Sequence, residues 1–238
     1  MQSDSSTSFL PPIIPTYLKE TYHWAYLHPR NVAWLDQEWI VNLILWGNAK
    51  RIREAFLAEI PPSSTVLHAA HVYGLFVKKL IEKISPSGQL DLFDIAPIQL
   101  ARCHQKLMAH SNVNLWLADA NNPFPQHQAP TYDVASSFFL LHELPDERKH
   151  KVVQRLLQSV NDTGKVIFVD YHLPTRYHPL KPILSNIFNY LEPFAKSLWT
   201  HAITDYAGEL HSHFLWRKKT LFGGLYQVVV GMRKKGSA

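Results

Sequence analysis

Cysteine is almost absent: Cys103 is the single thiol in 238 residues. A disulfide framework is excluded, and a lone thiol fits a reducing compartment. Long apolar runs are missing as well. The longest, Trp39 to Gly47, is nine residues and holds Asn42, whereas a bilayer span needs about 20. The opening MQSDSSTSFL has no basic segment, no apolar core and no Arg. It predicts neither a signal peptide nor an Arg-rich transit peptide, and the expected location is the cytoplasm. The net charge of +5 is not gathered into a stripe. Lys78-Lys79, Arg148-Lys149-Lys151, Arg217-Lys218-Lys219 and Arg233-Lys234-Lys235 read as solvated faces, which argues against a nucleic-acid partner. Glycine is scarce, with nine in the chain.

Apolar residues are plentiful, at 46%, against 18% charged. That balance excludes disorder as the main state. Seven Trp, ten Tyr and twelve Phe supply a core, with some left to line a pocket for a large flat ligand. Three zones follow along the chain. Residues 1–62 form an expected helical cap, part of the same domain. Asn31 caps one helix with Val32, Leu35, Trp39, Leu43 and Trp46 inward, and a second helix runs from Asn48 to Ile60.

Residues 63–238 are an expected α/β domain with a helical lid inserted at about 174–205. Strands are predicted at Thr65–Ala69, Gln89–Asp94, Val113–Leu117, Tyr132–Leu140 and Lys165–Tyr171, the last after a turn at Asn161–Gly164. Helices fall between them at Leu75–Ile84, Ile98–His110 and about Asp146–Val160. Such alternation gives a mostly parallel sheet covered on both faces. In the lid, Leu180 to Trp199 keeps helical spacing, with Pro193 splitting the helix. Two closing strands, His213–Lys219 and Leu225–Met232, read as an antiparallel hairpin.

In such sheets ligands lie beyond the carboxyl ends of the strands. The first strand leads into His68-Ala69-Ala70-His71-Val72-Tyr73-Gly74 and the second ends at Asp94-Ile95. Asp94 follows Gly74 by 20 residues, a spacing at which a carboxylate meets a ribose. The third leads to Asp119-Ala120, the fourth to Phe138-Phe139-Leu140-Leu141-His142-Glu143-Leu144-Pro145-Asp146 and the fifth to Asp170-Tyr171-His172.

This order resembles the class I S-adenosylmethionine (SAM)-dependent methyltransferase superfamily over Ser63–Tyr171. The resemblance implies a Rossmann-like fold and SAM as cofactor. Asp94 would hold the ribose hydroxyls, with Ile95 beside it, and Asp119 the adenine amino group, with Ala120 and Phe139 near the rings. Gly74 would close the loop under the methionine part. The first loop departs from the pattern. His68 stands where an acidic residue is usual, and Ala70 and Val72 replace glycines, so the methionine end is expected to sit differently. Contact with the ligand is expected at His68, Ala70 and His71.

Within the superfamily the chain resembles the rhodoquinone-biosynthesis family, RquA. The segments are TYHWAYLHP (21–29), VNLILWGN (41–48), HVYG (71–74), FDIAPIQL (93–100), FFLLHELP (138–145), VDYHLP (169–174), LEPFAKSLW (191–199) and TLFGGLYQVVV (220–230). The resemblance implies replacement of a methoxy group of ubiquinone by an amino group derived from SAM, with Mn²⁺ required and no ligands assigned to it. His142, Asp170, Tyr171 and His172 are the candidates for proton transfer or metal contact. Glu143 reads as a solvated or capping carboxylate and Cys103 as a core filler. The aromatic cap and lid are expected to form the quinone groove and a peripheral membrane contact, on the inner face of the membrane. Conventional methyl transfer to a quinone or small phenol, and a non-catalytic SAM-binding module, are the competing readings.

Overall fold

The computed structural model describes residues 13–122 and 131–236, so the first twelve residues of the expected cap lie outside the described part. Seven strands make one sheet: β1 (Thr65–Ala69), β2 (Gln89–Asp94), β3 (Val113–Leu117), β4 (Tyr132–Phe138), β5 (Val160–Tyr171), β6 (Phe214–Leu221) and β7 (Tyr226–Arg233). Their order is β3-β2-β1-β4-β5-β7-β6. The first five are parallel, and β7 runs antiparallel to β5 and β6. This is the expected class I methyltransferase α/β fold with its C-terminal antiparallel hairpin. Strand order reverses between β1 and β4, which opens a crevice at their carboxyl ends.

Alternation along each central strand sends side chains to two cores. Val66, Val134, Ile167 and Val169 face one, and Leu67, Ala135, Val166 and Phe168 the other. On the first side lie α4 (Ala49–Leu57), α5 (Phe76–Ile84), α6 (Pro97–Leu107) and α8 (Lys181–Tyr190). Helix α5 buries Phe76, Val77, Leu80, Ile81 and Ile84 and turns its lysines outward. From the cap, Ala49, Ile52 and Phe56 enter that same core. Burial of Phe56 alone is worth about 1.5–3 kcal/mol. The second side is covered by α7 (Asp146–Ser159) and a 3₁₀ stretch, Ile203–His213.

Two local expectations are corrected. The single helix over 32–46 is broken into α2 (Pro29–Leu35) and α3 (Glu38–Ile44), because Gln37 is extended. The cause is Asp36. Its carboxylate accepts the Gly74 N–H and pairs with Arg102 and Lys106, which pulls the chain aside there. Val32 and Leu35 stay buried, but Trp39 and Leu43 swing outward, 61% and 68% exposed. The turn expected at 161–164 is instead inside β5. Pairing with β4 shifts register between Tyr132 and Val134, so the extra residues are absorbed without ending the strand. In the lid, α8 stops before Pro193, and a short α9 (Ser197–Thr200) follows.

Candidate active site

A cavity of about 420 Å³ opens at the switch point, within the range that holds small ligands. The ends of β1, β2, β3 and β4 supply Ala70, His71, Asp94, Ile95, Asp119, Ala120 and Phe139 to its wall. The cap adds Tyr26 and Trp46, and the lid adds Ile187 and Glu192.

Asp94 is set by the strand it ends. Its Oδ1 accepts the Ala96 N–H and its Oδ2 the His71 N–H, both at 2.8 Å. Each oxygen keeps a lone pair for one hydroxyl donor. Burial lifts its pKa to about 6, against the pull of those N–H groups. Asp119 is held by the Asn121 backbone N–H at 2.9 Å and by Arg148 at 3.0 Å, and it also keeps acceptor capacity. Two carboxylates with spare acceptor sites on one apolar cavity fit a ribose and an adenine amino group, so the residues present suit SAM.

The first loop is crowded, and the chain crowds it further. Ala70 has φ +69° and Phe139 φ +54°. Left-handed backbone costs an L-residue roughly 1–2 kcal/mol. Both are pinned: the Ala70 N–H donates to the Phe93 carbonyl, and that of Phe139 to the Val169 carbonyl. Beyond them, the N-terminus of α5 is already supplied with anions. Asp36 accepts from Gly74 N–H at 3.0 Å and Glu38 Oε2 from Leu75 N–H at 2.8 Å. Gly74 itself has φ +74°, and a Cβ there would lie 2.5 Å from Glu38 Oε2. The place where an N-terminal helix dipole favours a ligand anion is thus occupied by the cap.

His71 bonds Gln99 through Nδ1 at 3.0 Å, with the Lys106 ammonium 3.2 Å from Nε2. Burial, then Lys106, drives its pKa down to about 3. Neutral His71 therefore donates from Nδ1 and accepts at Nε2. His68 lies outside the cavity wall, a correction to its expected ligand contact. It is fully buried, its Nδ1 is 2.8 Å from Ser136 Oγ, and its ring packs on Phe76. Burial lowers its pKa to about 3. Gly74 is likewise behind the wall, under the cap.

On the other side, Asp170 fixes His142. Its Oδ1 is 2.9 Å from His142 Nδ1, and its Oδ2 accepts the His142 backbone N–H at 3.2 Å. Burial opposes a charge on the ring, but Asp170, with Glu192 and Glu143 behind it, outweighs burial and raises the pKa to about 9. Asp170 is fully buried, holds His142 and does not line the cavity. Tyr171 does line it. His172 does not: its Nδ1 bonds the Gly224 carbonyl at 2.9 Å at the base of the hairpin, so its expected catalytic place is corrected.

Several groups escaped the sequence reading. Glu143 is buried, 8% exposed, and lines the cavity, where a solvated or capping carboxylate was expected. Tyr26 donates a hydrogen bond to its Oε1. Glu192 reaches the same cavity from the lid, from a segment with no strand-end position to mark it. Lys149, expected on a solvated face, is fully buried. Its ammonium donates to the carbonyls of Leu144 and Phe194 and to Ser197 Oγ, which ties the lid to the end of β4. Arg148 pairs with Asp119.

Among the described residues, no group of three His, Cys, Asp or Glu side chains is arranged to hold a metal ion. Among the described residues the implied Mn²⁺ has no seat of that kind.

Residues 66–164 match the methyltransferase domain family. No curated protein matches the chain. Solved structures share the fold at low identity. A SAM-dependent methyltransferase from Aquifex aeolicus is 16% identical, covering 87% of this chain and 99% of its own, with a TM-score of 0.57. Human N-acetylserotonin methyltransferase, in complex with SAM, is 15% identical over 93% of this chain, with a TM-score of 0.61. The mitomycin 7-O-methyltransferase is 12% identical over 92%, with a TM-score of 0.65. The chain spans 60% and 61% of the length of these last two.

Proposed function

We propose that the protein is a SAM-dependent transferase that acts on ubiquinone and places an amino group derived from SAM where a ring methoxy group stood, giving rhodoquinone. The observation that carries this reading is one cavity with two kinds of lining. Asp94 and Asp119 offer acceptors for a nucleoside. In the same cavity Tyr26, Phe139, Tyr171, His142 and Glu143 supply aromatic rings and proton-carrying groups for a flat, oxygen-bearing substrate. The methyltransferase domain match over residues 66–164 supports the cofactor, and the family resemblance supports the quinone.

When bound, SAM supplies the transferred group. The chain's own residues do the rest. Asp94 and Asp119 orient the nucleoside. Asp36 and Glu38 of the cap fill the N-terminus of α5, so the amino-acid end of a bound cofactor would not find its anion seat there. This supports amino transfer over methyl transfer. His142, held by Asp170, keeps a positive charge near the ring oxygens and steadies negative charge that builds there.

Trp24, Trp34, Trp39, Leu43, Ile44 and Trp46 form an exposed apolar face on the cap, and Trp24, Leu43, Ile44 and Trp46 also line the cavity. Interfacial Trp residues settle at the lipid headgroup level. We propose that this face rests on a membrane, so that a lipid-tailed quinone enters directly. No helix among the described residues is long and apolar enough to cross one.

Conventional methyl transfer is the second reading, favoured by the methyltransferase domain match. Incubation with SAM and a short-chain ubiquinone, with and without Mn²⁺, followed by mass analysis, separates the two. Amine for methoxy lowers the quinone mass. An added methyl raises it and overturns the first reading.

A further inference from the structure

Glu143 and Glu192 come to one cavity wall from distant parts of the chain, the turn after β4 and the lid after α8. The Tyr26 hydroxyl donates to Glu143 Oε1, and His142 Nε2 lies 3.8 Å from the same oxygen. Glu192 Oε2 is buried, and its polar neighbour is the buried hydroxyl of Tyr22. The local charges do not balance. Among the described residues His142 is the one cation facing the pair, and Asp170, at 2.9 Å, shares it with them. Two carboxylates then remain in an apolar cavity, and both ionised there would repel with little solvent to screen them. The other titratable groups that act on Glu143 are the Asp170 carboxylate and the phenols of Tyr17, Tyr22, Tyr26, Tyr73 and Tyr171, the phenols all held neutral.

We propose that Glu143 and Glu192 form a carboxyl pair with one shared proton at neutral pH, and that this pair is the proton store for the substrate oxygen. The proposal rests on the quinone reading above and adds the group that moves the proton. In the displacement step, the lone pair of the amine nitrogen forms the ring C–N bond. The ring C–O bond breaks and its electron pair goes to oxygen. Glu143 gives its proton to that oxygen, which leaves as methanol. The carboxylate then takes the proton that the nitrogen sheds, so the pair is restored, and this displacement, which leaves the nitrogen still bonded to the cofactor's α-carbon, needs no oxidant or reductant. Glu143 is the catalytic residue. Glu192 is a positioning residue that keeps Glu143 protonated by its own charge. Burial and then Glu192 push the Glu143 pKa up to about 8, and burial raises Glu192 in the same direction.

The test follows the carboxyls directly in the protein without ligands. Glutamate is labelled with ¹³C at its side-chain carboxyl and titrated by infrared and NMR spectroscopy. In the unaltered protein a protonated Glu carboxyl persists at pH 7 and titrates near pH 8, as expected for Glu143. It is lost in Glu143→Gln. In Glu192→Gln its midpoint falls by about one pH unit or more, because the neighbouring charge is gone. The alkaline limb of turnover moves down with it. A merely structural Glu192 leaves that midpoint where it was, and this result overturns the proposal. So does the absence of any Glu carboxyl titrating above pH 6 in the unaltered protein, whether or not the variants fold. If the carboxyl titrates as described but no aminated quinone forms, the pair stands and the assigned reaction fails.

Discussion

Asp170 grips His142 twice, its two carboxylate oxygens meeting the ring Nδ1 at 2.9 Å and the backbone N–H at 3.2 Å. The arrangement fixes both the ring plane and the proton on Nδ1, leaving Nε2 toward the cavity. Asp170→Asn keeps the shape but removes the charge that favours imidazolium. We expect kcat to fall about tenfold or more, with SAM affinity, measured by calorimetry, nearly unchanged. Unchanged turnover would show that His142 needs no anchor.

Glu38 is the second anchor, on the opposite side of the site. It caps α5 through the Leu75 N–H and pairs with Arg53 at 2.7 Å. Glu38→Ala should cost about 1 kcal/mol of stability, as loss of a helix N-cap does, read from urea unfolding. It also frees the helix end for a ligand anion. Carboxylate analogues of the cofactor should then bind more tightly than to the unaltered protein.

The exposed cap face gives a third prediction. Trp39 and Leu43 are largely exposed, Trp39 edge-on to Trp34 and Leu43 at the cavity mouth. Replacing both by Ser should leave thermal unfolding within about 0.5 kcal/mol, as surface changes do. Binding to quinone-containing anionic vesicles should drop several-fold in co-sedimentation. Equal sedimentation of both proteins would remove this face from any membrane contact.

Stability should depend on pH on the alkaline side. His142 is raised to about 9 and Glu143 to about 8 in the folded state. Both bind a proton more tightly folded than unfolded. Their contribution is complete below the unfolded pKa and is lost as pH rises through the folded one. The loss covers roughly pH 4.5 to 8 for Glu143 and 6.5 to 9 for His142. Unfolding free energy should fall between pH 7 and 9, by on the order of 2 kcal/mol. Glu143→Gln should flatten the slope. The buried neutral His68 and His71 act at the acid end, because both are lowered to about 3. Their contribution is present above about 6.5 and is lost as pH falls towards 3.

Much of the fold was legible. Strands β1, β2 and β3 have the expected bounds because continuous apolar runs between turn residues have one reading in a parallel sheet. The carboxylates at strand ends were legible for the same reason: the end of a strand fixes where its next residue stands. What escaped came from tertiary contacts. Asp36 broke a helix because Gly74, 38 positions later, needed an acceptor. Lys149 looked like surface because nothing local shows that two carbonyls and a hydroxyl await it. Glu192 sits in a lid that alternation does not place, so its approach to Glu143 had no signal in sequence. His68 misled because it stands near the carboxyl end of β1 beside the ligand loop, while its ring turns into the Phe56 and Phe76 cluster.

Asp94, at the switch point of this sheet, is the residue on which cofactor binding should depend. Calorimetric titration of SAM into the purified protein at pH 7.5, beside Asp94→Ala, tests it most directly. Hydrogen bonds to a charged acceptor are worth about 1.5–3 kcal/mol each, so the account predicts clear binding that weakens tenfold or more in the variant. Absence of binding by the folded unaltered protein, or equal affinity of the two, would contradict it.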